Sequence, residues 1–575
     1  MHSRSERLMR LTSALATFLA VTASIAVWSQ QPKRMPLTES TFAFQDISVI
    51  PMDTDRVLTR QTVVVRDGKI FEISSAMTAQ LPPGTTVING QGKFLVPGLA
   101  DMHTHVDRRE MLPLFLEAGV TTILNMGLAS PEFVTSTRDE IRRGSIPGPR
   151  VFVAFLIDGP GDPGPEYVPV CERDARDAVD RAKLEGYDFI KAYERLQPGI
   201  FAAVLDEAKK QHIAVVGHIA PAVGLESSLA QGQVMIAHAE EYYKTYFGKK
   251  PDESKIAPAV ELTKHWGAYV TPNLSFFAAL TQRTSDPKSF DKRLAEPDIS
   301  FLPPDIRGEW LEDRPARPSD RFVPEFAILK KLTLALSNAG VPLLAGTDSP
   351  GGGMPGSSLD DDVEQLVGAG LTPFQALSAA TRVPWQFIHQ FVPGADEFGT
   401  ISPGAAADLL VLSANPLLDI HNLREPLGVM VRGRWFDHAA LMAMVEAPVQ
   451  GYKRVEEMDS AFQAAVDKAG AVAAIRDFET HPKPTGKLSE SVVNALGYRL
   501  LNAHQFEAAI ALFALNTRQY PDSWNAYDSL AEAYADNGQL DLAILNYRHS
   551  LALNTRNTGA FAYLEKATMT ANPSK

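Results

Sequence analysis

From residue 97 to 349 the chain alternates short apolar runs with longer amphipathic stretches, which restricts it to folds built from parallel strand–helix units. Eight of the apolar runs read as strands, ending near His105, Met126, Leu156, Lys191, His218, His238, Pro272 and Asp348. The stretches 173–186, 198–211, 256–266 and 324–340 read as helices between them. A span of this size is close to the roughly 250 residues of a (β/α)8 TIM-like barrel, which is the α/β fold expected here. An open doubly wound sheet is the competing arrangement.

The flanks have other textures. Residues 41–51, 62–66 and 69–73 read as strands, with Asp67-Gly68 as a hairpin turn. The same texture returns at 404–412 and 427–436, where Val431-Arg432-Gly433 echoes Val65-Arg66-Asp67-Gly68. Two strand blocks on either side of a long middle point to one small composite β-sandwich domain. After residue 450 the pattern is purely helical, with Leu496, Leu530 and Leu564 recurring every 34 residues, Ala543 following Ala509 and Tyr547 following Phe513. That period, with Gly497 and Ala531 at the helix crossings, reads as a tetratricopeptide (TPR)-like region capped by 459–478; an ordinary helical bundle is the other reading. The expected parts are an export signal or N-terminal anchor at 1–30, the composite β-domain at 31–96 plus 398–445, and the barrel at 97–397. A helical linker or cap at 446–487 and the TPR-like repeats at 488–575 complete the chain.

Near the start, Arg4, Arg7 and Arg10 precede an uncharged run from Leu11 to Trp28, the layout of an export signal. The run is also just long enough to stay as a single-span anchor. The body is therefore expected in the periplasm or outside the cell, touching a membrane only through that segment. A net charge of −13, without single-sign blocks, argues against nucleic acid as a partner and favours a small or neutral one. Cys171 is the single cysteine, which excludes intrachain disulfides and zinc sites of several thiolates. Any metal has to be held by histidine, carboxylate or a lysine-derived oxygen.

His103-Thr104-His105 is the sharpest local signal, because residues i and i+2 of a strand share a face. Alone, such a pair is as consistent with two packed or surface histidines. His218 and His238, however, end two other strand candidates and Asp348 ends the last, so these side chains converge at one barrel mouth. Lys191 ends a further strand, where a charged amine would be costly unless paired or reaching water. A lysine held neutral by burial and nearby cations can take up carbon dioxide as a carbamate, whose two oxygens can bridge two metal ions.

An ordered series of stretches then resembles the amidohydrolase superfamily, and within it the imidazolonepropionase-like and prolidase-like metal-dependent hydrolases. It comprises Val96-Pro97-Gly98-Leu99-Ala100-Asp101-Met102-His103-Thr104-His105, Phe189-Ile190-Lys191, Val216-Gly217-His218, Ile236-Ala237-His238 and Ala345-Gly346-Thr347-Asp348. Gly370-Leu371-Thr372-Pro373, Gly399-Thr400-Ile401-Ser402-Pro403-Gly404 and Ala407-Asp408-Leu409 extend it, so that it covers about residues 40–440. The resemblance implies that His103 and His105 hold a more buried divalent metal and His218 and His238 a second. It further implies that carbamylated Lys191 bridges the two, and that Asp348 binds the first and acts as general base. Zinc suits the donor set best, with one or two ions per chain. The implied reaction is hydrolysis of a C–N bond in an amide, peptide or cyclic amide, with a dipeptide or N-acyl amino acid as the expected substrate.

Ala192-Tyr193-Glu194-Arg195 departs from the small, glycine-containing stretch associated with the dipeptidase-like members, so specificity is open. Tyr193 and Tyr242, with Tyr243, are candidates for substrate contact, and aromatic packing is the plain alternative for each. Residues 276–323 read as a long insertion that could cover the mouth. A second class of function is a catalytically idle barrel whose TPR-like region recruits a protein partner or a second copy of the chain.

Overall fold

The computed structural model describes residues 41–571 except 131, 161–166, 313–314, 316, 352, 481–485 and 555–556. The expected export signal lies outside the described residues. The chain enters through β1 (Thr41–Val49), β2 (Leu58–Arg66), β3 (Lys69–Ser75), β4 (Thr86–Asn89) and β5 (Phe94–Pro97). The β2–β3 hairpin turns at Asp67-Gly68 with positive φ at both residues, the geometry that the Asp-Gly pair favours.

Seven parallel strands follow: β6 (Leu99–Thr104), β7 (Val120–Asn125), β8 (Arg150–Ile157), β9 (Phe189–Ala192), β10 (Ala214–Gly217), β11 (Met235–Ala237) and β12 (Tyr269–Thr271). Every residue of β7 and β9 is buried, as expected of parallel strands covered on both faces. The expected eighth strand is not a regular one, yet its segment joins both edges of this sheet. Val270 bridges Leu343 and Thr104 bridges Ser349, while Met102 N donates to Ala345 O at 2.9 Å and Thr347 N to His103 O at 3.0 Å. The left-handed turn at Asp348 interrupts the extended backbone, so this segment cannot keep an even ladder.

The expected helices appear as Glu172–Leu184, Pro198–Lys210, Ile256–Trp266 and Val323–Asn338. The insertion is helical rather than an open loop, with Leu274–Ser285, Pro287–Leu294, Pro297–Phe301 and Pro304–Glu312. It packs through Ile299, Leu302, Ile306 and Trp310 onto Leu114, Met354 and Val445.

β13 (Leu409–Leu412), β14 (Gly428–Val431) and β15 (Arg434–Asp437) return the chain to the first block, with β13 antiparallel to β5. The result corrects the sandwich expectation. It is a single eight-stranded sheet in the order β15-β14-β13-β5-β1-β2-β3, with β4 on β1. The rings of Phe44 on β1 and Trp435 on β15 lie 5.5 Å apart although three strands separate them, so the sheet curls over its own core.

The C-terminal region is a run of helices: Val449–Ala469, Ala471–Thr480, Glu490–Asn502, Phe506–Gln519, Trp524–Asp536, Leu540–Leu553 and Thr558–Ala571. Among the residues of the 34-residue period, Leu496, Ala509, Phe513, Leu530, Ala543 and Tyr547 are buried. Among the described residues no helix is long and apolar enough to cross a membrane.

Gly497 gives this region a sharp test, because a Cβ there would meet the Phe513 ring at 2.5 Å. Alanine gains about 1 kcal/mol of helix propensity but overpacks at a cost of about 1–3 kcal/mol. Gly497→Ala is expected to lower the urea midpoint followed by far-UV circular dichroism. Gly451→Ala, whose Cβ would meet nothing within 4 Å, is expected to leave it unchanged or raise it.

Candidate metal centre

Each sequence-predicted donor sits at or just past the C-terminal end of a barrel strand. His103 lies in β6 where the pairing with β7 shifts register between Asp101 and Thr104, an irregularity that re-aims side chains at a strand end. His105 follows it, Lys191 lies in β9, and His218 and His238 come directly after β10 and β11. Asp348 follows the closing segment. His238 (φ 71°), Asn273 (φ 52°) and Asp348 (φ 57°) are all left-handed, a conformation that costs non-glycine residues about 1–3 kcal/mol and collects at functional sites.

Asp348 is the hub. Its Oδ1 lies 3.2 Å from His103 Nε2 and 3.1 Å from His105 Nε2, and its Oδ2 lies 4.0 Å from His238 Nε2. Lys191 Nζ lies 3.3 Å from His103 Nε2, and the lysine is 1% exposed. Ligand atoms of His103, His238 and Asp348 fall within 4.8 Å of one another. Donors about 2.1 Å from a tetrahedral ion stand about 3.4 Å apart, so the spacing fits a divalent cation.

The protonation states fit as well. Burial, reinforced by the Lys191 charge, pushes the His103 imidazole down to about 3, and burial holds His238 well below its ordinary value. Each shift favours the uncharged ring, the form that binds a metal ion. Burial by itself would raise Asp348, but the imidazoles of His103 and His238 outweigh it and hold the carboxyl well below its usual range. His105 Nδ1 lies 3.0 Å from the Gly127 carbonyl, to which it donates when it carries the ring proton; that tautomer leaves Nε2 free to face Asp348.

His218 stands slightly apart. Its ring is 4.8 Å from that of His238, and its Nδ1 donates to Glu241 Oε1 at 3.0 Å with Glu194 Oε1 at 3.3 Å. Glu194, His218 and Glu241 form a second candidate cation cluster. Burial alone would lower His218, but Glu241 and Glu194 raise it, and the hydrogen bond from His218 draws Glu194 down to about 2. Lys244 Nζ binds Glu194 at 2.7 Å and Glu240 at 3.0 Å.

Tyr193 is at the site: its ring centroid lies 4.1 Å from that of His218 and 5.4 Å from Lys191 Nζ. Tyr242 is not, which corrects the expectation for it. The side chain is fully buried and its hydroxyl shares a 2.7 Å hydrogen bond with Thr263 Oγ1 of the helix Ile256–Trp266. Adjacent residues of a helix point about 100° apart, and Tyr242 faces the helix layer.

Sequence reasoning missed the residues that orient the donors. The wholly buried Asp101 accepts from His103 N and Thr347 N at 3.1 Å each and from Thr347 Oγ1 at 2.7 Å. Asp362 accepts from Ser275 N at 2.9 Å and Gly346 N at 3.2 Å. Asp101 was visible in the strand motif; for Glu241 and Asp362 no local signal existed. Beside the site, a cavity of about 440 Å³ lies between the insertion helices and the loop after Asp348, lined by Phe276, Leu280 and Trp310 together with the charged Arg283, Arg293 and Asp361. The Phe276 ring is 6.2 Å from that of His238.

Residues 94–436 match the Amidohydrolase family. Over 118 residues the chain is 33% identical to the L-hydantoinase of Paenarthrobacter aurescens, covering 19% of this chain and 25% of that protein. It matches the adenine deaminase of Paracoccus denitrificans (strain Pd 1222) at 33% over 81 residues, 13% of this chain and 14% of that one. The chain thus spans a quarter or less of these curated relatives' length. Among solved structures, a bottromycin amidohydrolase aligns at a TM-score of 0.57 and 23% identity, over 72% of this chain and 90% of that one, a likeness of fold. The family match takes in most of the barrel and the strands that return to the first sheet, and on it the chain belongs to the amidohydrolase family.

Proposed function

We propose that this chain is a metal-dependent hydrolase of C–N bonds whose substrate is a dipeptide or an N-acyl amino acid. The observation that carries the reading is the convergence of His103, His105, Lys191, His238 and Asp348 donor atoms at 3.1–4.0 Å around one point at the barrel mouth. His103, His105 and Asp348 would hold one cation, His218 and His238 a second, and Lys191 would join them as a carbamate. Zinc suits these nitrogen and oxygen donors best. When bound, such ions supply Lewis acidity to the substrate carbonyl and lower the pKa of water.

The chain's own residues account for the proton. Asp348 is ionised at neutral pH and can accept the proton of the attacking water at a carboxylate oxygen, then return it to the leaving nitrogen. His105 is fixed in orientation through Gly127, and the Asp101 clamp on Thr347 keeps Asp348 facing His103. The cavity beyond Phe276 has room for a side chain or acyl group, and its mixed lining, with Phe276, Leu280 and Trp310 beside Arg283 and Arg293, suits a substrate carrying both an apolar part and a carboxylate. The L-hydantoinase it resembles acts, by its name, on a cyclic amide. On the same reading the N-terminal segment exports the chain and the helical tail docks a protein partner or a second copy, the latter on the 34-residue period.

Screening the metal-replete protein against dipeptides, N-acyl amino acids, lactams and esters is expected to give hydrolysis of a dipeptide or an N-acyl amino acid. An intact, metal-loaded protein that cleaves none of them would sink the proposal. Chelation is expected to abolish turnover and added zinc to restore it, followed by metal analysis and rate together. Asp348→Asn is expected to lower kcat by about 10²–10⁴-fold, without the urea midpoint falling. Lys191→Ala is expected to keep the fold and lose the second metal equivalent; two equivalents retained would contradict the carbamate.

A further inference from the structure

At the opposite pole of the barrel, where Arg150 opens β8, a cleft of about 210 Å³ lies between the barrel and the curled sheet. Lys69, Arg142, Arg143, Arg150, Arg432 and Arg434 line it, against the carboxylates of Asp67 and Asp396. Such a concentration of cations runs against the chain's net charge of −13.

The internal ion pairs do not balance it. Arg142 and Arg143 share Asp139, at 2.7 and 3.6 Å. Arg150 faces Asp408 at 3.3 Å and Asp396 at 3.8 Å, and Lys69 reaches that same Asp396 at 3.6 Å. The Arg432 and Arg434 side chains donate to carbonyls, while Asp408 and Asp396 attract the Arg432 charge and the Phe436 ring lies 5.3 Å from the Arg434 guanidinium carbon. Arg432 donates to Ile141 O at 3.3 Å and Arg142 O at 2.8 Å, and Arg434 donates to Gly144 O at 3.1 Å. Binding the last carbonyls of the helix Arg138–Arg142 is a capping role, but each of the two guanidinium groups keeps N–H donors beyond those bonds. Burial, with the adjacent Arg150, pushes the Arg432 guanidinium below its ordinary value, as expected of a crowded cation.

The backbone adds an independent sign. The hairpins β2–β3 and β14–β15 meet back to back at their turns, where a side chain on Gly433 would collide with Gly68. Both turns have positive φ at their two central residues. The first places Asp67 in the left-handed position, a residue that tolerates it; the second places Arg432 there at φ 51°. That turn holds Arg432 at the cleft, where the two hairpins meet the barrel.

We infer that this cleft binds a phosphate group, with Arg432 and Arg434 as its main ligands. Two guanidinium groups with spare planar donor pairs are the recognition chemistry for a phosphate oxyanion, and the cleft is of a size for one or two phosphoryl groups rather than a large organic ligand. The group could belong to a free anion or to a lipid headgroup. β1 enters the sheet at this end, with Thr41 paired to Arg66 beside the turn, shortly after the apolar run 11–28.

Isothermal titration of the full chain with inorganic pyrophosphate at constant ionic strength tests the free anion, and cosedimentation with phosphatidylglycerol vesicles tests the lipid. Saturable binding of either probe at one site is expected, weakened about tenfold or more by Arg432→Asn and by Arg434→Gln. Arg432→Asn keeps a turn-compatible residue, and the exposed Arg434 can be changed if the first variant proves unstable. Pyrophosphate binding that displaces no vesicles assigns a free anion, and vesicle binding competed by pyrophosphate assigns a headgroup. Absence of binding in both arms, or equal binding by wild type and both variants, would overturn the inference.

Discussion

The buried carboxylate of Asp101 is the constraint on which the rest of the site depends. It takes three hydrogen bonds, one from the His103 backbone and two from Thr347, and so pins the first strand of the barrel to the segment that closes it. Asp348 N completes the clamp by donating to His103 O at 2.7 Å. Burial pushes the Asp101 carboxyl up to about 7, so the three donors are working against a large desolvation cost. A closing segment without a regular ladder needs such a tie. Without it, the left-handed turn at Asp348 would relax and the carboxylate would leave the imidazoles it faces.

The legible part of the fold was the part that local periodicity determines. Strand ends at Lys191, His218 and His238 could be placed from apolar runs, because parallel strands buried on both faces carry an unbroken apolar signal. The Asp67-Gly68 turn followed from backbone chemistry. The sheet that unites β5 with β13 was legible only as two similar blocks, and its curl depends on the Phe44–Trp435 contact between strands far apart in the chain. The helices of the insertion are hard to read in a stretch with so many prolines, yet Pro287, Pro297 and Pro304 each occupy the first turn of a helix, where proline is tolerated.

At the site, donors were readable and their supports were not. A donor announces itself by residue type at a strand end; a support is defined by what it reaches across the fold. Asp362 lies on the helix Ser358–Ala369 and holds both Ser275 and Gly346, so its role exists only once three distant segments are assembled. Tyr242 and Tyr193 were equivalent as sequence. Tyr193, the residue just past β9, lies against His218, while helix geometry turns Tyr242 into the layer outside the barrel.

The stretch where this chain departs from the dipeptidase-like pattern falls on the support of one donor. The Tyr193 ring packs against His218 at a tilt of 49° and Glu194 accepts from His218, while Glu241 binds the same Nδ1 from the helix after β11. With Glu240, three carboxylates stand around His218, and Lys244 reaches all three. A carboxylate on one imidazole nitrogen fixes the tautomer and makes the other nitrogen a stronger donor. Two carboxylates on it also make the surroundings negative, which favours a cation on the far side of the ring. On the proposed two-metal reading, the divergence at Tyr193 and Glu194 would bear on how firmly a metal at His218 is held as well as on the substrate, because the residues that would contact a ligand at the mouth are the ones that set the electrostatics of His218.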